Sequence, residues 1–349
     1  MTTPIRTGVL GYGLAGRCFH VPYLRALSEF DVRVVATTRA EAQAALPGTR
    51  IVPTVEDVLT ADDVDLVVVA TPHRMHMPHA LAALEAGKHV VIEKPAAVSL
   101  REVDTLQHAA AAAGKLAVPF HNRRWDGDFQ AVRQLMISGM LGTVHYFESR
   151  WVMFRPKPRG VWRDRPEELG GVFNDLGPHL IDQALQLFGM PQSVFAQIMI
   201  HRLGCTVDDA FRVLMTYGNG LNIVLETDVL NGVSAPRFTL RGTNGAFEKQ
   251  GVDPQEALLR AGIYPNDPAW SIAPETGRIV LGGEHGLAIE GQLEIAPGDY
   301  RGFYAGVGRA IAGDAPAPVT LDELGRQVQV MEAARQSSLS GMPVEVART

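Results

Sequence analysis

A glycine-rich loop constrains this chain more than any other feature. Gly11-Tyr12-Gly13-Leu14-Ala15-Gly16 follows the strand candidate Ile5 to Leu10 without a linker and leads into a helical pattern. Each glycine at that spacing has a mechanical reason. The first permits a tight turn, the second lets a pyrophosphate approach the backbone, and the third lets the helix pack on the strand. Phosphate then sits at the helix N-terminus, where backbone N–H groups lack acceptors within the helix. The loop predicts a doubly wound α/β unit with a dinucleotide held by Gly11, Tyr12, Gly13, Leu14, Ala15 and Gly16.

The following residues agree with that prediction. Short buried runs at Val32 to Thr37, Val64 to Ala70, His89 to Ile92 and Leu116 to Phe120 alternate with alanine-rich amphipathic stretches, the pattern of a parallel sheet with crossover helices. Pro78 to Ala86 reads as a helix stopped by Gly87, and Ser99-Leu100-Arg101-Glu102 as a capping box opening a helix to about Ala113. After Trp125 the texture changes. A helix near Asp128 to Ser138 precedes alternating strands at about Thr143 to Met153, Ser193 to Ile200, Ala210 to Tyr217, Leu221 to Asp228 and Arg237 to Arg241. Gly177 to Phe188 reads as a helix, as does the stretch from the Thr320 cap to about Leu339, while residues 250 to 300 read as irregular. The expected fold is α/β: an N-terminal Rossmann doubly wound parallel sheet over residues 1–120, then a C-terminal α+β domain over 121–349 built on a large, mainly antiparallel open sheet.

Charge and cysteines narrow the function classes. With 32 Lys and Arg against 38 Asp and Glu, the net charge of -6 lacks the basic footprint of a nucleic-acid binder, so a small-molecule partner is expected. Cys18 and Cys205 cannot form a disulfide framework or a zinc cluster. No run approaches the roughly 18 apolar residues of a membrane span, and a cytoplasmic location is expected. None of the seven tyrosines is followed by Lys four residues on, and Gly-x-Ser-x-Gly is absent, which excludes a short-chain dehydrogenase and a serine-hydrolase elbow.

The second strand ends in Ala36-Thr37-Thr38-Arg39, without the acid that usually binds a ribose 2′-hydroxyl. A guanidinium flanked by hydroxyls suits a 2′-phosphate in charge and fork geometry. Thr37, Thr38 and Arg39 are therefore expected to favour NADP, with NAD as the alternative.

Thr71-Pro72, Ala86-Gly87-Lys88-His89-Val90, Glu93-Lys94-Pro95 and Asp175-Leu176-Gly177-Pro178-His179-Leu180-Ile181-Asp182 together resemble the Gfo/Idh/MocA family of NAD(P)-dependent oxidoreductases. The glycine loop continuing through Arg17 to Phe19-His20, the Thr-Thr-Arg strand end and His121-Asn122-Arg123-Arg124-Trp125-Asp126 look like its NADP-dependent scyllo-inositol dehydrogenase-like branch. The resemblance makes Lys94 the catalytic lysine, close to nicotinamide and substrate. It implies that Glu93 orients the loop, that a cis bond precedes Pro95, and that the protein is a homodimer or homotetramer pairing through the open sheet face.

The residues give these roles a chemical basis. An ammonium beyond a parallel strand stabilises developing alkoxide charge. Asp175, His179 and Asp182 are spaced to share one helix face, and histidine titrates near working pH, so His179 is the expected base in oxidation and acid in reduction, with Asp175 binding a substrate hydroxyl or tuning the pair. Asp182 reads as structural. Thr71, Pro72, His76 and Asn122 are expected near the cofactor, and Arg123, Trp162 and Arg163 near the substrate. His73, His76 and His79 spread across a helix surface rather than converging, so no metal is expected. The expected activity is hydride transfer between nicotinamide and a secondary alcohol or ketone of a cyclic polyol or sugar. The competing readings are a cofactor-binding sensor on the same fold and a redox-neutral sugar-processing enzyme.

Overall fold

A computed structural model describes residues 3–270, 273–282 and 288–346. The chain divides into two compact units. The first comprises 1–122, 254–271 and 299–325, and the second 123–253, 272–298 and 326–349. The crossing differs from an uninterrupted second domain because two later segments return to the first unit. The helix Arg301–Ala312 buries Phe303, Tyr304 and Val307, with Phe303 4.8 Å from the Phe120 ring and Tyr304 5.6 Å from Phe30.

The first unit holds six strands: β1 (Ile5–Leu10), β2 (Phe30–Ala36), β3 (Arg50–Val52), β4 (Leu66–Val69), β5 (His89–Ile92) and β6 (Ala117–Pro119). Their order is β3-β2-β1-β4-β5-β6, and every pairing is parallel. The order reverses between β1 and β4, and a doubly wound sheet binds its ligand in the crevice beyond the strand ends at that point. Val67, Val68, Val69, Val90, Val91 and Ile92 are fully buried, as strands covered on both faces require. The Ser99 hydroxyl accepts the Glu102 N–H at 3.3 Å and so caps the helix Leu100–Ala113, which Gly114 ends in the left-handed conformation.

The second unit carries nine strands: β7 (Val144–Val152), β8 (Ser193–Met199), β9 (Ala210–Thr216), β10 (Asn222–Asp228), β11 (Pro236–Gly242), β12 (Gly245–Gln250), β13 (Glu275–Gly282), β14 (Ala288–Ile295) and β15 (Val344–Glu345). They lie in the order β14-β13-β12-β11-β7-β10-β9-β8-β15, antiparallel except for the β7–β10 pair. The expectation of an irregular stretch over 250 to 300 is corrected. That region contains the helix Gln255–Arg260 and the paired strands β13 and β14, while 271–272 and 283–287 lie outside the described residues. The core packs Phe129 and Val132 of the helix Gly127–Ser138, Leu180 and Ile181 of Gly177–Phe188, and Val330 and Met331 of Leu321–Ser340 on one face of the sheet.

Candidate active site

The glycine loop is shaped by close backbone approaches. Gly11 has φ +99°, and a Cβ there would lie 2.7 Å from the Ala70 carbonyl oxygen at the end of β4; one on Gly16 would lie 2.3 Å from the Gly11 carbonyl oxygen. A Cβ on Gly13, by contrast, would meet nothing within 4 Å. The two outer glycines thus close the turn, and the middle one faces the open space that a pyrophosphate requires. Arg17 Nε, buried at the loop's exit, has no hydrogen-bond partner among the described residues. An open cradle beside a cation fits a dinucleotide, which Tyr12, Leu14 and Ala15 would help to enclose. At the tip of β2, the Thr37 hydroxyl accepts the Arg39 N–H at 3.2 Å, and Arg39 Nη1 lies 3.0 Å from Glu41 Oε1. An acid therefore stands two residues beyond the expected phosphate clamp.

Lys94 follows β5 on a loop that is held from two sides. Glu93 Oε2 accepts the Lys94 N–H at 3.0 Å, and His76 Nδ1 lies 2.9 Å from the Pro95 carbonyl oxygen. The Lys94–Pro95 bond is cis. Burial alone would raise the Glu93 pKa, but the hydrogen bond and charge of His20, followed by the Lys94 charge, outweigh it and bring the value down to about 2. His76 Nε2 lies 2.8 Å from the Thr71 carbonyl oxygen, so this buried ring ties the turn after β4 to the lysine loop. His79 Nδ1 is 3.1 Å from the Thr71 hydroxyl. Among the described residues no group of three or more His, Cys, Asp or Glu is placed to hold a metal.

In the second unit, Asp175 and His179 are not on one helix. Asp175 ends the short helix Val172–Asp175, Leu176 interrupts at φ -111° and ψ -28°, and a new helix starts at Gly177 with Pro178 in its first turn. A proline there sacrifices no helical hydrogen bond, and it places His179 beside the helix start. The turn before Asp175 is compact. Leu169 has φ +55° and Gly171 φ +102°, and a Cβ on Gly171 would lie 2.1 Å from Asp208 Oδ1. Asp208 Oδ2 accepts the Phe173 N–H at 2.6 Å and so caps the helix that carries Asp175. Burial raises the Asp208 pKa to about 6, although that N–H pulls the other way.

This fold-back brings Arg163 Nε to 3.6 Å from Asp175 Oδ1, with the Arg163 guanidinium 4.3 Å above the Trp162 ring. Arg155, Arg159, Arg163, Asp175 and Asp208 line a small open pocket of about 50 Å³. Trp162 and Arg163 thus lie next to Asp175. Arg123 is buried over Trp151 at 4.2 Å and 3.4 Å from Asp126, in the position of a framework residue. Asp182 accepts two bonds from Arg124, at 2.9 and 2.6 Å. Sequence reasoning missed Asp208 and Tyr304, which have no local signal, and it gave His20 no role although the residue stands in a quoted motif.

A six-stranded parallel sheet ending in a dinucleotide cradle, with a lysine loop beyond β5 and a second unit on a mainly antiparallel sheet, defines a nucleotide-dependent oxidoreductase. Residues 5–121 match the model described as oxidoreductase family, NAD-binding Rossmann fold, and residues 133–346 that described as oxidoreductase family, C-terminal alpha/beta domain. The chain belongs to the Gfo/Idh/MocA oxidoreductase family. It is 35% identical over 343 residues to scyllo-inositol 2-dehydrogenase (NADP(+)) IolW of Bacillus subtilis, covering 96% of this chain and 94% of that protein. It is also 35% identical over 334 residues to the uncharacterized oxidoreductase YdgJ of Escherichia coli, covering 95% of each. The solved structure of an oxidoreductase from Bacillus cereus matches with a TM-score of 0.89 at 30% identity over 99% of both chains. Among the described residues no helix is long and apolar enough to cross a membrane.

Proposed function

We propose that this oxidoreductase is an NADP-dependent dehydrogenase that interconverts a secondary alcohol and a ketone on a cyclic polyol or sugar of the inositol type. The observation that carries the reading is the lysine loop, fixed on both sides beyond β5 of the sheet that holds the glycine cradle. The name of the 35% identical relative supports the substrate class and the cofactor. A bound nicotinamide dinucleotide supplies the hydride acceptor or donor. Gly11, Gly13 and Gly16 shape its cradle, Thr38 and Arg39 engage the 2′-phosphate, and Thr71, Pro72, His76 and Asn122 border it.

Lys94 holds the reacting oxygen and stabilises its developing negative charge. His179 takes the hydroxyl proton in oxidation and returns it in reduction. Asp175 accepts a hydrogen bond from a neighbouring substrate hydroxyl, and Trp162 and Arg163 enclose the ring. The Arg123 carbonyl oxygen accepts the Gln183 amide and so braces the helix that carries His179. The free thiols of Cys18 and Cys205 fit a reducing cytoplasm. The strand face opposite the core, with Arg212 and Glu226 paired across β9 and β10, fits a homodimer or homotetramer.

The test is a panel of inositols, aldoses and other cyclic polyols, scored at alkaline pH with NADP and NAD in parallel. Reduction of NADP by one inositol-like or sugar substrate is expected. A flat panel with tight NADPH binding would overturn the dehydrogenase reading.

A further inference from the structure

Three stretches of the first unit contribute to one buried line of polar groups. His20 Nδ1 lies 2.6 Å from the Tyr304 hydroxyl, and its Nε2 lies 3.1 Å from Glu93 Oε1. The other Glu93 oxygen accepts the Lys94 N–H. His20 and Tyr304 are fully buried. The aromatic shell is close: Phe120 is 4.4 Å from the His20 ring, and Phe30 and Phe303 are 5.6 and 5.3 Å from Tyr304.

The groups at either end assign the protons. An ionised carboxylate only accepts, so His20 Nε2 carries the hydrogen shared with Glu93. Burial, followed by the nearby Glu93 charge, raises the Tyr304 pKa well above its ordinary value, so the phenol stays protonated and hydrogen-bonds Nδ1. The line runs from Tyr304 through His20 to Glu93, which the Lys94 N–H meets from the other side.

The backbone of the glycine loop makes this reach possible. Gly16–His20 is wound as a π-helical turn that buries Cys18 and His20. Such turns are rare and concentrate at functional sites. Stability alone does not account for the network, because replacing a buried ionic group with well-packed apolar residues is often neutral or stabilising. What the network does accomplish is geometric: it locks the carboxylate that grips the Lys94 backbone.

We infer that His20 and Tyr304 are positioning residues for Lys94, tying the turn after the glycine loop to the lysine loop so that the ammonium is presented in one place. This rests on the reading of Lys94 as the group that holds the reacting oxygen.

Three variants test it: His20→Leu, Tyr304→Phe and His20→Gln, whose amide can still donate to Glu93. Amide hydrogen exchange at Lys94 reads the grip directly and needs no substrate. NADPH fluorescence titration reads the cofactor site, and steady-state kinetics separate kcat from KM. In His20→Leu, Lys94 exchange should accelerate at least about 10-fold and kcat fall about 10- to 100-fold, the scale of a small misplacement of a reacting group. KM and the NADPH Kd should stay within about 3-fold. Tyr304→Phe should shift exchange and kcat the same way but less, and His20→Gln should recover most of both. If His20→Leu does not fold, Tyr304→Phe carries the same test, since it removes one hydroxyl and keeps the ring. Unchanged Lys94 exchange, or His20→Gln no better than His20→Leu, would overturn the proposal alone. Faster exchange in a protein whose Lys94→Ala variant retains full turnover would overturn the catalytic reading of Lys94 and the proposal with it.

Discussion

Arg39 Nη1 lies 3.0 Å from Glu41 Oε1 at the tip of β2, so the cation expected to meet a 2′-phosphate already has a carboxylate partner. The Glu41 carboxyl is held below its ordinary pKa by its own backbone N–H and then by Arg39, so it is ionised near neutrality. A phosphate must displace that carboxylate. Arg39→Ala should therefore weaken NADP about 10- to 100-fold, the worth of one charge-assisted hydrogen bond, while NAD changes less than about 3-fold. Glu41→Gln should tighten NADP by a smaller factor. Fluorescence titration of both reduced cofactors measures this, and equal losses for the two in Arg39→Ala would remove the clamp.

The proposed division of roles predicts different kinetic signatures. Lys94→Ala and His179→Ala should each lower kcat by about 10²- to 10⁴-fold with the cofactor Kd largely intact, as expected for groups that act on charge and proton in the transition state. Arg163→Ala, which removes a cation beside Asp175, should instead raise KM more than it lowers kcat. Steady-state kinetics on the substrate found by the panel decide between these patterns. A KM effect alone in Lys94→Ala would rule out its role in the chemical step.

How far the sequence reaches differs from element to element. β1 and β5 end where the sequence expectation ends, at Leu10 and Ile92, because each closes on consecutive aliphatic residues that a glycine or a charge follows at once. The β13–β14 pair is invisible because most of β14 is exposed and Gly277, Gly282 and Gly291 dilute the alternation that marks a half-buried strand. Asp175 and His179 are recognisable as a pair, but the break at Leu176 is not, since Gly177-Pro178 fits a helix start as well as a turn. Tyr304 lies 284 residues from its partner His20, and no local pattern encodes so long a return.

The depressed pKa of Glu93 has a consequence for acid stability. Its folded value of about 2 lies below the ordinary 4.5, because the His20 and Lys94 effects outweigh the burial that would raise it. A carboxylate shifted downward stabilises the fold above its unfolded pKa and loses that contribution as pH falls through the folded value. A shift of this size corresponds to on the order of 3 kcal/mol at neutral pH. Urea unfolding at pH 7, 5, 4 and 3 should show the native protein well above Glu93→Gln at pH 7, with the gap narrowing below about pH 4.5. A gap that does not vary with pH would show that ionisation of Glu93 is not its source.

Asp208 should behave in the opposite sense. Burial raises its pKa from 3.8 to about 6, so the folded protein binds more protons than the unfolded chain between those values. Stability from this group therefore declines as pH rises from about 4 to 6, because the native state must then hold a poorly solvated charge. Asp208→Asn keeps an acceptor for the Phe173 N–H and cannot ionise, so its unfolding midpoint should lack this decline. Asp208→Ala should lose about 1 kcal/mol with the cap and also raise KM, since the helix it starts ends in Asp175. If Asn and Ala lower stability and raise KM equally, the side chain matters for packing and not as the cap that sets Asp175.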